Sequence, residues 1–170
     1  EATANIAVQA AITGHLVLAS LHARSVVEIP IRLLNLKVDP YLMATTLRLN
    51  SSQRLVKRVC PNCKESHQLQ EQEQEFMQKY LAEYAAKDMQ LFVGAGCYFC
   101  QNTGFSHRSA VFEILHLSEE MILSLARDDV GGYLEIANTA LKGKRLLDNA
   151  MQLAVAGEIP FSEVMQLNFD

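Results

Sequence analysis

Short apolar runs and stretches of helical periodicity alternate through the first third of the chain. Residues 1–12 carry Ile6, Ala7, Ala10 and Ala11, with Val8 and Ile12 nearby, a small-residue apolar helix that Thr13-Gly14 stops. Leu16-Val17-Leu18-Ala19-Ser20-Leu21 then forms a nearly unbroken apolar run, which predicts a strand buried in a parallel sheet. His15 stands just before that run and His22 just after it. Ser25 is placed to cap a helix over 26–35, in which Val27, Ile31 and Leu34 share a face. Pro30 has to sit in the first turn of that helix or kink it. Asp39, ahead of Pro40, caps a further helix to about Leu49 that carries Tyr41, Met43, Ala44 and Leu47, and Gln53 to Val59 reads as a strand.

Between residues 68 and 87, Leu69, Phe76, Tyr80, Leu81 and Tyr84 make one apolar stripe opposite Glu71, Glu73, Glu75 and Glu83, the pattern of an amphipathic helix. Leu91-Phe92-Val93 and Ser109 to Leu115 read as strands. The remainder is helical: one helix opens at Ser118 and carries Ile122, Leu123 and Leu125. Gly131-Gly132 is expected to separate it from a second over 133–142. A third, over 144–156, has Gly157 as its C-cap, and a last short one covers 161–167. Strands mixed with helices place the chain in the α/β class.

With 170 residues, 49% apolar and 20% charged, the chain suits one full domain or two small ones with a sizeable core. A net charge of −4 gives no general case for nucleic acid. No apolar run reaches the roughly 18 residues of a membrane span. The start, Glu1-Ala2-Thr3-Ala4-Asn5, has neither an initiator Met nor a charged-then-apolar leader, and we read the chain as a piece of a longer protein.

All four cysteines lie in two equal pairs, Cys60-Pro61-Asn62-Cys63 and Cys97-Tyr98-Phe99-Cys100, with 33 residues between the pairs. Two such pairs can wrap one tetrahedral Zn²⁺, which accepts four thiolates at about 2.3 Å. Two disulfides require an oxidising compartment, and a redox motif requires only one pair. Neither accounts for two pairs at equal spacing with no cysteine left over. Four protein ligands leave no open position for substrate, so the ion is expected to be structural, contributing on the order of 10 kcal/mol to folding in small zinc peptides. Cys→Ser changes are then expected to unfold 60–105 and leave the remainder largely intact.

Two further features bear on chemistry. His22 follows the carboxyl end of the expected strand, where ligands of open α/β sheets sit, so a phosphate or nucleotide contact competes with an ordinary turn residue. Arg48, Arg54, Lys57, Arg58 and Lys64 form a basic cluster, by default a solvated face, with an anion-facing role for Arg54 as the alternative.

Three stretches together carry a family likeness. They are Thr3 to His22, ending Thr13-Gly14-His15-Leu16-Val17-Leu18-Ala19-Ser20-Leu21-His22; Gln53-Arg54-Leu55-Val56-Lys57-Arg58-Val59-Cys60-Pro61-Asn62-Cys63; and Gly96-Cys97-Tyr98-Phe99-Cys100 through Arg108, with Glu113. In order and separation they resemble the C-terminal part of the ATPases that power type II secretion and type IV pilus assembly. In that family they correspond to the helix after the Walker B box running into the His box, the entry to the tetracysteine module, and its second knuckle.

The resemblance implies the C-terminal part of a RecA-like P-loop ATPase core over 1–59, an inserted tetracysteine zinc module over 60–105, and a returning strand with a C-terminal helical region over 106–170. It implies a hexameric ring at the cytoplasmic face of the inner membrane, acting on a secretion or pilus platform with no direct nucleic-acid partner. His22 becomes the candidate catalytic residue near the γ-phosphate, with His15 supporting it. Gln53 and Arg54 fall near the nucleotide side, and Cys60, Cys63, Cys97 and Cys100 hold the zinc. Retraction-type relatives usually lack the cysteine module, which favours an assembly or secretion motor. Ala23-Arg24 stand where the family usually has Thr-Asn, and His107 and Ala110 where it usually has Gly, which marks a divergent member.

No G-x-x-x-x-G-K-[ST] occurs in the chain, so it has no phosphate-cradling loop, no lysine for the β- and γ-phosphates and no hydroxyl for Mg²⁺. ATP and Mg²⁺ therefore belong to the full-length protein, and this chain alone is expected to be inactive. A stand-alone zinc-stabilised adaptor that docks a partner through the acidic helix 68–87 is the competing reading, and a nucleic-acid-binding zinc ribbon is a third.

Overall fold

The computed structural model describes residues 2–85 and 88–168. In chain order the elements are α1 (Ala2–Ile12), α2 (Glu28–Asn35), α3 (Pro40–Thr46), β1 (Leu49–Val59), β2 (Lys64–His67), α4 (Glu71–Tyr80) and α5 (Ala82–Ala85). They continue with β3 (Leu91–Gly94), β4 (Phe105–His116), α6 (Glu119–Ala126), α7 (Val130–Ala140), α8 (Leu146–Val155) and α9 (Phe161–Gln166). Among the described residues there are two two-stranded sheets, β1 with β4 and β2 with β3, so the fold is mixed α/β. The chain divides into two compact units, Glu1–Ser52 with Glu113–Lys142 and Gln53–Phe112 with Gly143–Asp170, each assembled from two separate stretches. No helix among the described residues is long and apolar enough to cross a membrane.

The first unit is built by helix caps and one buried cluster. Asp39 accepts from Leu42 N at 3.0 Å with Pro40 opening α3, and Ser118 Oγ accepts from Met121 N at 3.3 Å to start α6. Both satisfy amides that a first turn leaves unpaired. Pro30 falls in the first turn of α2, where its missing N–H costs nothing. Val26, Val38, Met43, Ala44, Leu115, Met121, Leu125, Tyr133, Ala137 and Leu141 form the core, with Ala4 and Val8 of α1 against its edge.

Several expectations fail here. Ser25 does not cap α2, whose N-cap is Val27 with no side-chain bond. The helix that Asp39 opens ends at Thr46, and Leu49 already belongs to β1. Gly131-Gly132 does not separate helices: both lie in the first turn of α7, where Asp129 accepts from Gly132 N at 2.9 Å. A Cβ at Gly132 would collide with that carboxylate, so the glycine serves the cap. Leu16 to Leu21 is not a strand. No described strand runs beside it, and without a neighbour to take its N–H and C=O groups an apolar run gains nothing from extending. Leu16 and Leu18 are each 88% exposed.

The second unit buries Val56, Phe76, Met77, Leu81, Leu91, Val111, Ala150, Met151, Ala154, Ile159, Phe161 and Val164 in one cluster. Phe76 of α4 meets Phe161 of α9 edge-on, ring centroids 6.1 Å apart. The helix expected over 68–87 is shorter. A reciprocal cap between Gln70 and Glu73 opens it at Glu71, it breaks at the buried Leu81, and α5 follows; Ala86 and Lys87 lie outside the described residues. β2 pairs antiparallel with β3 in the register Lys64↔Gly94 to His67↔Leu91. Its sequence, Lys64-Glu65-Ser66-His67, carries no apolar alternation, so nothing in the residue pattern announces it.

Candidate metal centre

Strand ends deliver the four cysteines. β1 finishes at Val59 and hands on Cys60, whose N–H donates to Gly104 O at 2.9 Å. Cys63 N–H turns back to Cys60 O at 3.3 Å, and Cys63 O accepts from Ala95 N at 3.0 Å just beyond the end of β3. In the second knuckle Asn102 N–H donates to Cys97 O at 2.8 Å, and Gln101 and Asn102 both take positive φ to tighten the turn. The two knuckles are brought together where Gly94 meets Gly104. A Cβ on either would strike the backbone of the other, so only glycine allows the approach.

The sulfurs converge. Cys60 and Cys97 Sγ are 3.9 Å apart, Cys63 and Cys100 3.8 Å, and Cys97 and Cys100 3.6 Å, and all four lie within 4.8 Å of one another. A regular tetrahedron with metal–sulfur bonds of about 2.3 Å has edges of about 3.8 Å. The cluster therefore has the size of a four-thiolate site, and it is compatible with zinc. It is the one such grouping of metal-ligating side chains among the described residues.

The thiols differ in how ready they are to ionise. Burial opposes ionisation of Cys100, but amides from Cys97 at 3.2 Å and Gly104 at 3.3 Å donate to its sulfur and, with the Cys97 and Cys63 thiols, bring it down to about 6. Burial pushes Cys63 up to about 12, the neighbouring Cys100, Cys60 and Cys97 thiols adding to it against a bond from the Gly96 backbone. One sulfur thus ionises more readily, and another is held as the thiol until a cation that binds the sulfur displaces its proton to solvent.

The other expected site residues are placed as follows. His15 folds back on the end of α1, its Nδ1 3.1 Å from Thr13 Oγ1 and 3.3 Å from Ala10 O. It lines a shallow depression of about 520 Å³ with Asn5, Ile6, Gln9, Ala10 and Thr13. His22 is exposed in an irregular segment of the same unit. In the second unit Gln53 is exposed, and Arg54 donates from its Nη1 to Gln53 O at 3.1 Å. Of the basic cluster, Lys57 lies 3.8 Å from Glu163, Arg58 3.5 Å from Glu158, and Lys64 sits 4.0 Å over the Phe92 ring. These charges have internal partners, which weakens the case for an anionic polymer on this face.

Sequence reasoning missed the role of Asn50 and treated Glu113 only as part of a motif. Both are buried, and both bind the peptide groups of Val26: Val26 N donates to Glu113 Oε1 at 3.2 Å, and Asn50 Nδ2 donates to Val26 O at 3.2 Å. The signal that could have exposed them is a polar residue at a position where the strand pattern calls for an apolar one.

A mixed α/β fold with four cysteines converging on one point defines a class that can hold a metal ion with no coordination position left for substrate. The chain belongs to the type II/IV secretion system protein family, whose model it matches over residues 1–166. It is 36% identical over 138 residues to the type IV pilus assembly ATPase PilB of Acinetobacter baylyi, covering 81% of this chain and 23% of that protein. It is 31% identical over 165 residues to the putative type II secretion system protein E of Escherichia coli, covering 97% and 32%. A PilB of Thermus thermophilus is 33% identical over 165 residues, covering 96% and 18%. The chain spans about a third or less of the length of these relatives.

Proposed function

We propose that this chain is the C-terminal portion of an ATPase that powers type II secretion or type IV pilus assembly. The observation that carries the reading is the family match over nearly the whole chain, with relatives named as secretion proteins and pilus assembly ATPases several times its length. On this reading residues 1–59 belong to a RecA-like core whose phosphate-cradling loop is supplied by the rest of the protein. The exposed apolar residues Leu16 and Leu18 are then surface that such a core covers. His22 faces the γ-phosphate with His15 in support, and Gln53 and Arg54 lie toward the nucleotide.

The four cysteines hold one structural Zn²⁺ in a module over 60–105, with 106–170 as the returning strand and C-terminal helical region. Six copies form a ring at the cytoplasmic face of the inner membrane and act on the secretion or pilus platform, with no direct contact to nucleic acid. ATP and Mg²⁺ bind the full-length protein.

The test compares two proteins. This chain alone is expected to show no ATP turnover. The full-length protein is expected to hydrolyse ATP and to lose about 100-fold in kcat on His22→Ala, the scale of losing one group that stabilises the transferring phosphoryl. Turnover by this chain alone, or a full-length rate indifferent to His22→Ala, sinks the reading.

A further inference from the structure

Val26 is held from every side. Its side chain is fully buried, its N–H donates to the Glu113 carboxylate, and its carbonyl accepts from Asn50 Nδ2, both at 3.2 Å. Asn50 is 2% exposed and Glu113 5%, and they come from β1 and β4, the two strands of one sheet. Two residues before Val26, Arg24 N–H donates to Glu28 Oε2 at 3.2 Å, and Glu28 N–H reaches Ser25 O at 3.2 Å. The main chain is therefore fixed from Arg24 onward, and only Ala23 separates that anchored stretch from His22.

Stability alone does not ask for this arrangement. Burying a carboxylate and an amide is costly, and apolar side chains of the same volume commonly hold a core as well or better. What the polar pair supplies is a fixed position for one peptide: two directed bonds set its height and its tilt together. We infer that Asn50 and Glu113 are positioning residues for His22, fixing the main chain from which that histidine projects toward the nucleotide. The inference rests on the reading of His22 given above.

The experiment uses the full-length ATPase. Glu113→Ala is expected to lower kcat at least about tenfold while KM for ATP stays within about twofold, because the step that needs the histidine is impaired and nucleotide binding is not. Glu113→Gln keeps an acceptor oxygen for Val26 N–H and is expected to retain most of the rate. In the double variant with His22→Ala, Glu113→Ala is expected to cost nothing further, since both act through one group. Losses that multiply, or an unchanged kcat in Glu113→Ala, overturn the inference and leave the His22 reading standing. An unchanged kcat in His22→Ala overturns both.

Should Glu113→Ala fail to fold, Asn50→Ala removes the other bond to the same peptide and is held to the same cycle. In this chain by itself, exchange of the Val26 amide reports the clamp directly. It is expected to speed up in Glu113→Ala while the amides of α2 stay protected, and unchanged exchange counts against the clamp.

Discussion

Cys100 and Cys63 belong to one cluster of sulfurs and are pulled in opposite directions. Amides from Cys97 and Gly104 bring Cys100 down to about 6 against the effect of burial, while burial holds Cys63 up at about 12. Protons compete with a metal for each thiolate, so the sign follows. At neutral pH Cys100 is already ionised, and Cys63 must release its proton when the ion binds. From about pH 6 upward zinc affinity should therefore rise with pH, by about tenfold per unit for the Cys63 proton alone, until hydroxide competes for the ion. Below about pH 6 it should fall more steeply, because Cys100 then holds a proton too. Competition against a chelator of known affinity across that range measures the slope, and a flat profile contradicts the assignment.

At the scale of elements, α9 is tied to β1 by one buried side chain. Glu163 is 5% exposed; its Oε2 accepts from Lys57 N at 2.7 Å, and its Oε1 lies 3.8 Å from Lys57 Nζ. The ion pair is half in solvent at the lysine end and contributes little. The bond to the strand amide matters more, and Glu163→Ala should cost about 2 kcal/mol, read as a lower denaturant midpoint with an unchanged slope. Glu163→Gln keeps an acceptor and should cost less.

What was legible in the residues follows the range of the interactions. Caps such as Asp39 before Pro40 and Ser118 before α6 are decided within four residues, and the sequence announces them. The cysteine pairs were legible for the same reason, since a metal demands both a ligand type and a spacing. The clamp on Val26 joins residues 87 positions apart, and a polar residue within a strand pattern marks each partner without showing what it binds. Leu16 to Leu21 misled in the opposite sense: its composition suits a buried strand, but a strand exists only where another lies beside it. β2 was missed because backbone pairing with β3 holds it, with no apolar face to betray it. The break at Leu81 escaped because burial of that side chain in the second unit's core competes with helix continuation.

At the scale of the whole molecule, a metal held by the four cysteines would brace more than the cysteine-bounded segment. Phe76, Met77, Leu81 and Leu91, from the stretch between the knuckles, share a core with Ala150, Met151, Ala154, Ile159, Phe161 and Val164. Val59 N–H also donates to Glu158 O at 2.9 Å, joining the strand that enters the first knuckle to the turn between α8 and α9. A cross-link closing the 33-residue segment between the pairs removes about 3–4 kcal/mol of loop entropy from the unfolded chain. Once it is lost, the residues that loosen include four of the twelve that make up this core. Chelation, or Cys97→Ser, should therefore raise amide exchange across residues 53–112 and also across α8 and α9, instead of in 60–105 alone. The first unit keeps a core of its own around Tyr133, Met43 and Met121, so α3, α6 and α7 should hold their protection. Hydrogen exchange with and without chelator decides it. Continued protection of α8 and α9 would mean the knuckles are a separable clip, and loss of protection in α6 and α7 would mean the ion sustains both cores.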